Sequence, residues 1–161
     1  MGKIIDQVIQ FFEKESWQFS TSEDESSLQT SFTSDQGTWM CFAQVVEDEV
    51  NQRFYFYSVC PLKAQENLIN ISEFITRANY GLSIGNFELD FSDGEIRFKT
   101  SIDITEDGFG LATIERLIYT NVLMMDRYLL GLTSVIAGQS KPIDAIQLIE
   151  SKPETVPEPI S

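Results

Sequence analysis

Hydrophobic and polar residues alternate with a period of two between residues 85 and 102, a pattern that predicts a β-hairpin with one buried and one solvent-facing side. On the first strand, Phe87, Leu89 and Phe91 alternate with acidic residues. Asp93-Gly94 follows and suits a tight turn, because glycine adopts positive φ without a steric clash. On the second strand the inward positions are Ile96, Phe98, Thr100 and Ile102. The pattern predicts a fold and names no reaction.

The part of the chain before this hairpin predicts a helix followed by a meander of strands. Apolar residues between Ile4 and Phe12 recur at helical spacing. Segments of period two come next, separated by polar runs that favour turns. The predicted strands begin near Trp17 and continue over residues 28–32, 38–46 and 53–59.

Three further helices are predicted. Pro61 is expected to begin the first, since the first turn of a helix does not need its amide hydrogen, and Gly81 to end it. A long apolar pattern from about Phe109 to Ala137 predicts the next helix, and residues 143–149 predict a short closing helix. The sequence therefore predicts an α+β fold, in which an antiparallel sheet of meander plus hairpin packs against helices.

The two central strands of the meander are apolar on both sides. Trp39, Cys41, Ala43 and Val45 alternate with Met40 and Phe42, and Phe54 and Phe56 alternate with Tyr55, Tyr57 and Val59. A sheet with helices on one side usually leaves its other side polar. An apolar second face implies either another covering element or a contact surface, and the sequence leaves both open.

The length and charge of the chain limit the classes of function that it can have. The 161 residues suit a single domain, which we place at residues 1–150, with the Pro- and Glu-rich residues 151–161 as a disordered tail. The formal charge of −14 disfavours nucleic-acid binding. The first residues lack the features of a secretory signal, and charges interrupt the long helical pattern. We expect a cytoplasmic protein that does not bind membranes.

Candidate chemistry is sparse. The chain has no histidine, which excludes histidine triads and histidine metal sites. Cys41 and Cys60 are expected to be buried thiols, because their spacing matches no metal or redox motif. Acidic turns near residues 90–95 and 103–107 match no EF-hand loop. We predict no catalytic residue, no metal site and no cofactor.

Gly85-Asn86-Phe87-Glu88-Leu89-Asp90, then Asp93-Gly94-Glu95-Ile96-Arg97-Phe98, then a long helix with Asp126-Arg127-Tyr128, make most of the chain resemble the YbjN family. The resemblance implies a fold like that of the class I type III secretion chaperones, assembled as a homodimer. It also implies a link to stress tolerance and to regulation through protein partners. It supplies no catalytic residues.

These observations predict a non-enzymatic protein-binding module, chaperone-like or adaptor-like, that buries apolar segments of a client, with acidic surroundings that favour a basic one. The residues expected to contact the partner are Trp39, Phe54, Phe56, Tyr57, Met124 and Tyr128. For Met124 and Tyr128, the alternative interpretation is that they fill the core. Two other functions remain open, a structural homo-oligomer without a client and a carrier of a small apolar ligand between helix and sheet.

Overall fold

The computed structural model describes residues 3–104 and 110–153. The strands in these ranges are β1 Phe19–Thr21, β2 Ser27–Ser34, β3 Gly37–Glu47, β4 Gln52–Val59, β5 Asn86–Leu89 and β6 Ile96–Asp103. The helices are α1 Lys3–Lys14, α2 Leu68–Asn79, α3 Leu111–Ile136 and α4 Pro142–Glu150. The strands form one antiparallel sheet in the order β1-β2-β3-β4-β6-β5. The predicted α+β architecture of meander, hairpin and helices is confirmed.

The core lies between one face of this sheet and the helices. Period-two alternation turns one row of each strand inward, and that row is the more apolar one in the central strands. The inward side chains include Leu28, Trp39, Cys41, Ala43, Phe54, Phe56, Phe87, Ile96 and Phe98. The helices supply the opposite wall, with Phe11, Phe12, Ile71, Phe74, Ile118, Val122 and Met125 among its members.

Helix α3 is fixed to the middle of the sheet by a buried amide. The Asn121 side chain donates hydrogen bonds to the backbone carbonyls of Phe56 (2.8 Å) and Phe98 (3.0 Å) on two neighbouring strands. The Thr100 hydroxyl in turn donates to the Leu117 carbonyl of α3 at 3.0 Å. Since buried polar groups are costly when unpaired, these bonds fix where α3 crosses β4 and β6.

The hairpin turn is wider than the predicted Asp93-Gly94 dipeptide. The strands stop at Leu89 and resume at Ile96, so six residues connect them. The Asp90 amide donates to the Glu95 carbonyl (2.9 Å), and the Gly94 amide donates to the Asp90 carbonyl (2.7 Å). Phe91, expected to face the core, therefore lies in the loop and is 59% exposed.

The prediction that Pro61 begins the second helix is wrong. The segment before α2 instead packs on the hairpin loop, where the Ala64 amide donates to the Gly94 carbonyl at 2.9 Å. Asn67 then donates from its side chain to the Ile136 carbonyl at the end of α3 (2.7 Å). These tertiary contacts hold residues 61–67 outside the helix, although the sequence pattern predicted that they form its first turns.

The remaining helix predictions agree with the structure over the described residues. Helix α3 runs from Leu111 to Ile136, while the predicted start at Phe109 lies outside those residues. Helix α4 begins at Pro142, the position at which proline costs a helix least. The predicted tail falls mostly on residues 154–161, outside the described residues. In the described chain, no helix combines the length with the apolarity that crossing a membrane requires.

Candidate protein-binding face

The side of the sheet that points away from the helices carries an aromatic and charged surface, here called the outer face. Its apolar members are Met40, Phe42, Val46, Tyr55, Tyr57 and Val59, and its charged members are Arg53, Glu88, Arg97 and Lys99. None of the apolar members belongs to the hydrophobic core, and Met40 is 38% exposed. The described part of the chain thus has an apolar sheet surface that its own helices do not bury.

Tyr57 lies at the centre of the outer face. In the sheet register it is opposite Phe42 on β3 and Lys99 on β6. Its ring is nearly parallel to that of Tyr55, with centroids 6.2 Å apart, and the Arg97 guanidinium carbon lies 4.2 Å above its ring centroid. Ring stacking and cation–π contact both hold flat groups in place. These two contacts hold the Tyr57 ring in place on the outer face.

A charged cluster continues this surface across the hairpin. The Glu88 carboxylate accepts hydrogen bonds from Arg97 Nε (2.8 Å) and Lys99 Nζ (2.9 Å). Burial raises the pKa of Glu88, but the hydrogen bonds from Lys99 and Arg97 together lower it by more, so its pKa lies below the usual 4.5. The Glu88 carboxylate stays ionised at neutral pH, pairs with both cations and helps to hold the Arg97 guanidinium over the Tyr57 ring.

Two acidic turns lie together at one end of the sheet. The β1–β2 turn and the β3–β4 turn are adjacent, because Ser27 pairs with Gln44 and the Val45 amide donates to the Ser26 carbonyl at 2.8 Å. Between them these turns carry Glu23, Asp24, Glu25, Glu47, Asp48 and Glu49. The Ser22 hydroxyl, then the Ser26 hydroxyl and amide, lower the pKa of Asp24 to about 2. The outer face is thus bounded at this end by fixed negative charge.

The structure separates the residues that the sequence grouped as partner-binding. Five are buried on the inner side, namely Trp39, Phe54, Phe56, Met124 and Tyr128. Tyr57 alone of the six lies on the outer face. The prediction that these residues bind a partner stays a prediction.

Apart from Tyr57, no residue of the outer face was predicted from the sequence to contact a partner, and Phe42, Tyr55 and Arg97 are among those that were missed. Alternation shows that Tyr55 and Tyr57 share a side of β4, but it does not show which side the helices cover. The pairing of Tyr57 with Lys99 would have indicated the exposed side, because Lys99 belongs to the polar face of the hairpin. Register across strands distant in sequence cannot be derived from alternation alone.

The described residues offer little for catalysis. Burial raises the pKa of the Cys41 thiol to about 12 and that of the Cys60 thiol to about 11, so neither is a thiolate nucleophile at neutral pH. Among residues 3–104 and 110–153, no group of three or more cysteine or acidic residues is arranged to hold a metal ion.

One known family model matches most of the chain. The model of the YbjN family, described as "putative bacterial sensory transduction regulator", matches residues 5–133. The chain belongs to the YbjN family. The match covers the whole sheet and most of α3, and it ends before α4. The family is described as a regulator and not as an enzyme. No curated protein matches the chain.

Proposed function

We propose that this YbjN chain is a non-enzymatic cytoplasmic regulator that acts by binding a polypeptide, in a chaperone-like or adaptor-like manner, through the outer face. One observation carries the proposal, the presence of Phe42, Tyr55 and Tyr57 on a sheet face that the described helices leave uncovered. Ordered aromatic side chains lose little conformational entropy on binding, and tyrosine is enriched at binding hot spots.

The charges around the outer face support a partner segment that is apolar and basic. The two acidic turns carry six carboxylates at one end of the sheet, and the whole chain has a formal charge of −14. Such a field favours approach of positive segments and weakens with added salt. Burial of apolar client side chains on Phe42 and Tyr57 would supply affinity, and the acidic end would supply orientation.

A homodimer remains a separate proposal for this protein. The outer face is an apolar surface that the described helices leave open on the sheet, so self-association would compete with the client for it. Light scattering on the purified chain gives the mass in solution. A dimer that persists when the outer face is changed places self-association elsewhere.

The test is capture of partners from the native cells by a tagged chain. We expect a basic protein in near-stoichiometric amount with the wild-type chain and its loss with the double variant Phe42→Ser/Tyr57→Ser. The matched control is Tyr80→Ser, which removes an aromatic ring that is 90% exposed and lies outside the sheet. Both variants should keep the far-ultraviolet circular dichroism of the wild type.

Two results would contradict the outer-face proposal. In one, the double variant still captures the partner; in the other, Tyr80→Ser loses the partner to the same extent as the double variant. Trp39→Ser/Phe56→Ser provides the complementary measurement. Both side chains are buried in the core, so we expect this variant to lose its fold and not only its partner.

A further inference from the structure

The two edges of the sheet differ in whether their backbone groups are already paired. At the β5 edge, the Phe87 amide donates to Asn79 Oδ1 at 2.7 Å, and Asn79 Nδ2 donates to the Phe87 carbonyl at 3.0 Å. The Asn79 side chain, at the end of α2, thus makes the hydrogen bonds that a further strand would make. Strand addition at the centre of β5 is therefore blocked.

The β1 edge, at the other side of the sheet, is open. In the described sheet β1 pairs only with β2, and just beyond it the Ser22 amide donates to the Ser27 carbonyl at 2.9 Å. Hydrogen-bonded pairs alternate along an antiparallel ladder, so Ser20 faces β2, whereas Phe19 and Thr21 direct their amides and carbonyls away from it. None of these four groups bonds to another group in the described part of the chain. They are donors and acceptors for one further strand.

The side chains at this edge also leave room for a strand. Ser20 and Thr21 are exposed, and Phe19 is half-buried, with its ring centroid 5.6 Å from that of Phe12. β1 carries no lysine or proline, the residues by which many free edges are protected. Because side chains of a strand alternate between the faces of the sheet, an added strand would place one of them beside Phe19. An apolar side chain there would be removed from water.

The charge around β1 selects the occupant. β1 has three residues, so its backbone alone holds a strand weakly. The exposed Glu13 precedes β1, and the exposed Glu23, Asp24 and Glu25 follow it in the turn to β2. Residues 15–52, which include β1, β2 and β3, contain no lysine or arginine. A basic segment would meet opposite charge on both flanks, whereas a second copy of β1 would bring the same carboxylates together.

We propose that the β1 edge accepts an extended basic segment of a protein partner by strand addition, with hydrogen bonds to the backbones of Phe19 and Thr21. An apolar side chain of that segment lies beside the Phe19 ring. The inference rests on the proposed function in taking a polypeptide as the occupant. It names a contact distinct from the outer-face aromatic residues, because β2 separates β1 from Phe42 and Tyr57.

The test uses short capped peptides of alternating valine and lysine, or valine and glutamate, titrated into the isotope-labelled full chain. We expect the lysine peptide to slow solvent exchange of the Phe19 and Thr21 amides, measured by NMR, and to leave the Phe87 amide unchanged. The glutamate peptide should bind at least about tenfold more weakly. A lysine peptide methylated at every backbone nitrogen keeps its charge but loses its donors, so it should also bind about tenfold more weakly.

Two substitutions of Thr21 separate its backbone from its side chain. Thr21→Pro removes the outward amide at a position where an edge strand tolerates proline, and it should weaken lysine-peptide binding about tenfold. Thr21→Ala keeps the amide, so it should retain the affinity within about twofold. Glu13→Gln/Glu23→Gln should lose about threefold in affinity. Glu66→Gln/Asp144→Asn, the matched control for charge, removes two exposed carboxylates outside β1 and its flanks and should lose less.

The variant Phe42→Ser/Tyr57→Ser tells the two proposals apart. It removes aromatic rings of the outer face, yet the lysine peptide should still slow exchange at Phe19 and Thr21, so failure of the outer-face proposal leaves this result unchanged. Four results would overturn the edge proposal: no slowing at these amides, equal binding of the lysine and methylated peptides, equal affinity of the two Thr21 variants, or slowing in the free chain that disappears on dilution, which places a second copy at the edge. If Thr21→Pro fails to fold, the methylated peptide decides with the wild-type chain.

Discussion

Gly85 occupies a position where two separate constraints exclude other residues. Its φ is +79°, and a Cβ atom there would lie 2.7 Å from the Phe98 ring and 2.8 Å from the Lys99 carbonyl oxygen. Gly81 has a similar φ of +88° but has open space around it. We expect Gly85→Ala to lower the free energy of unfolding by at least about 1 kcal/mol more than Gly81→Ala, because overpacking adds to backbone strain.

Urea unfolding of the two variants measures this difference. Gly81→Ala serves as the control for positive φ alone, so the comparison isolates the close approach of Gly85 to β6. Equal losses in the two variants would show that the neighbours of Gly85 move aside and that φ is the main constraint.

At the scale of single residues, the sequence identified candidate residues better than it assigned their roles. Aromatic residues on β3 and β4 were recognised, yet Trp39 and Phe56 lie in the core and Tyr57 lies on the outer face. Alternation divides the side chains of a strand into two opposite rows. When both rows are apolar, it does not show which row the helices cover. Asn121 had no local signal, because its partners Phe56 and Phe98 are distant in sequence.

At the scale of elements, the strands were predicted better than their connections. Alternation fixed the strands of the β5–β6 hairpin, but the turn depended on Ala64, thirty residues away from Gly94. The start of α2 depended likewise on the packing of residues 61–67 against the hairpin loop. Local patterns predict elements, whereas tertiary contacts decide their ends.

The hairpin of β5 and β6 should make stability depend on pH through Glu88. Its pKa is lower in the folded chain than the usual 4.5, so the unfolded state binds more protons around that pH. The stabilisation is present above about pH 4.5 and is lost as the pH falls through the lower folded-state pKa. We expect Glu88→Gln to make the free energy of unfolding fall less steeply than in the wild type between pH 5.5 and pH 3.

Urea unfolding at a series of pH values measures that slope. Glu66→Gln is the control, since it removes an exposed carboxylate outside the Arg97 and Lys99 cluster. The difference between the two variants isolates the cluster from the general loss of one negative charge. Identical slopes in the two variants would show that Glu88 adds nothing specific.

At the scale of the whole molecule, the topology brings together features that are far apart in sequence. The meander places the acidic turns around Asp24 and Asp48 at one end of the sheet, and the helices leave the opposite face of the sheet to Phe42 and Tyr57. The sequence predicted the layers, the acidic surface and the doubly apolar strands. It did not predict the close contact between α3 and α4 at Gly131, because helix packing that excludes a Cβ atom leaves no local pattern.

The position at which the domain ends also depends on packing across the whole molecule. The family match stops at residue 133, whereas α4 follows it and packs against the core, and the domain boundary predicted at residue 150 stays a prediction. Ala145 and Ile146 are buried, and Tyr128 donates from its hydroxyl to Glu150 at 3.1 Å. We expect a chain ending at residue 153 to unfold at the same urea concentration as the full chain, and a chain ending at residue 140 to lose at least about 3 kcal/mol.

Two substitutions in the full chain separate the role of α4 in the core from simple shortening of the chain. Ile146→Ala removes a buried side chain and should cost about 2–4 kcal/mol, whereas Leu148→Ala, on the exposed side of the same helix, should cost less than about 0.5 kcal/mol. Losses of this size are large against a total stability of about 5–15 kcal/mol. If the chain ending at residue 140 and Ile146→Ala both unfold like the wild type, the domain ends with α3. If both are destabilised, α4 is part of the same cooperative unit as the sheet, and the domain extends beyond the residues that the family model matches.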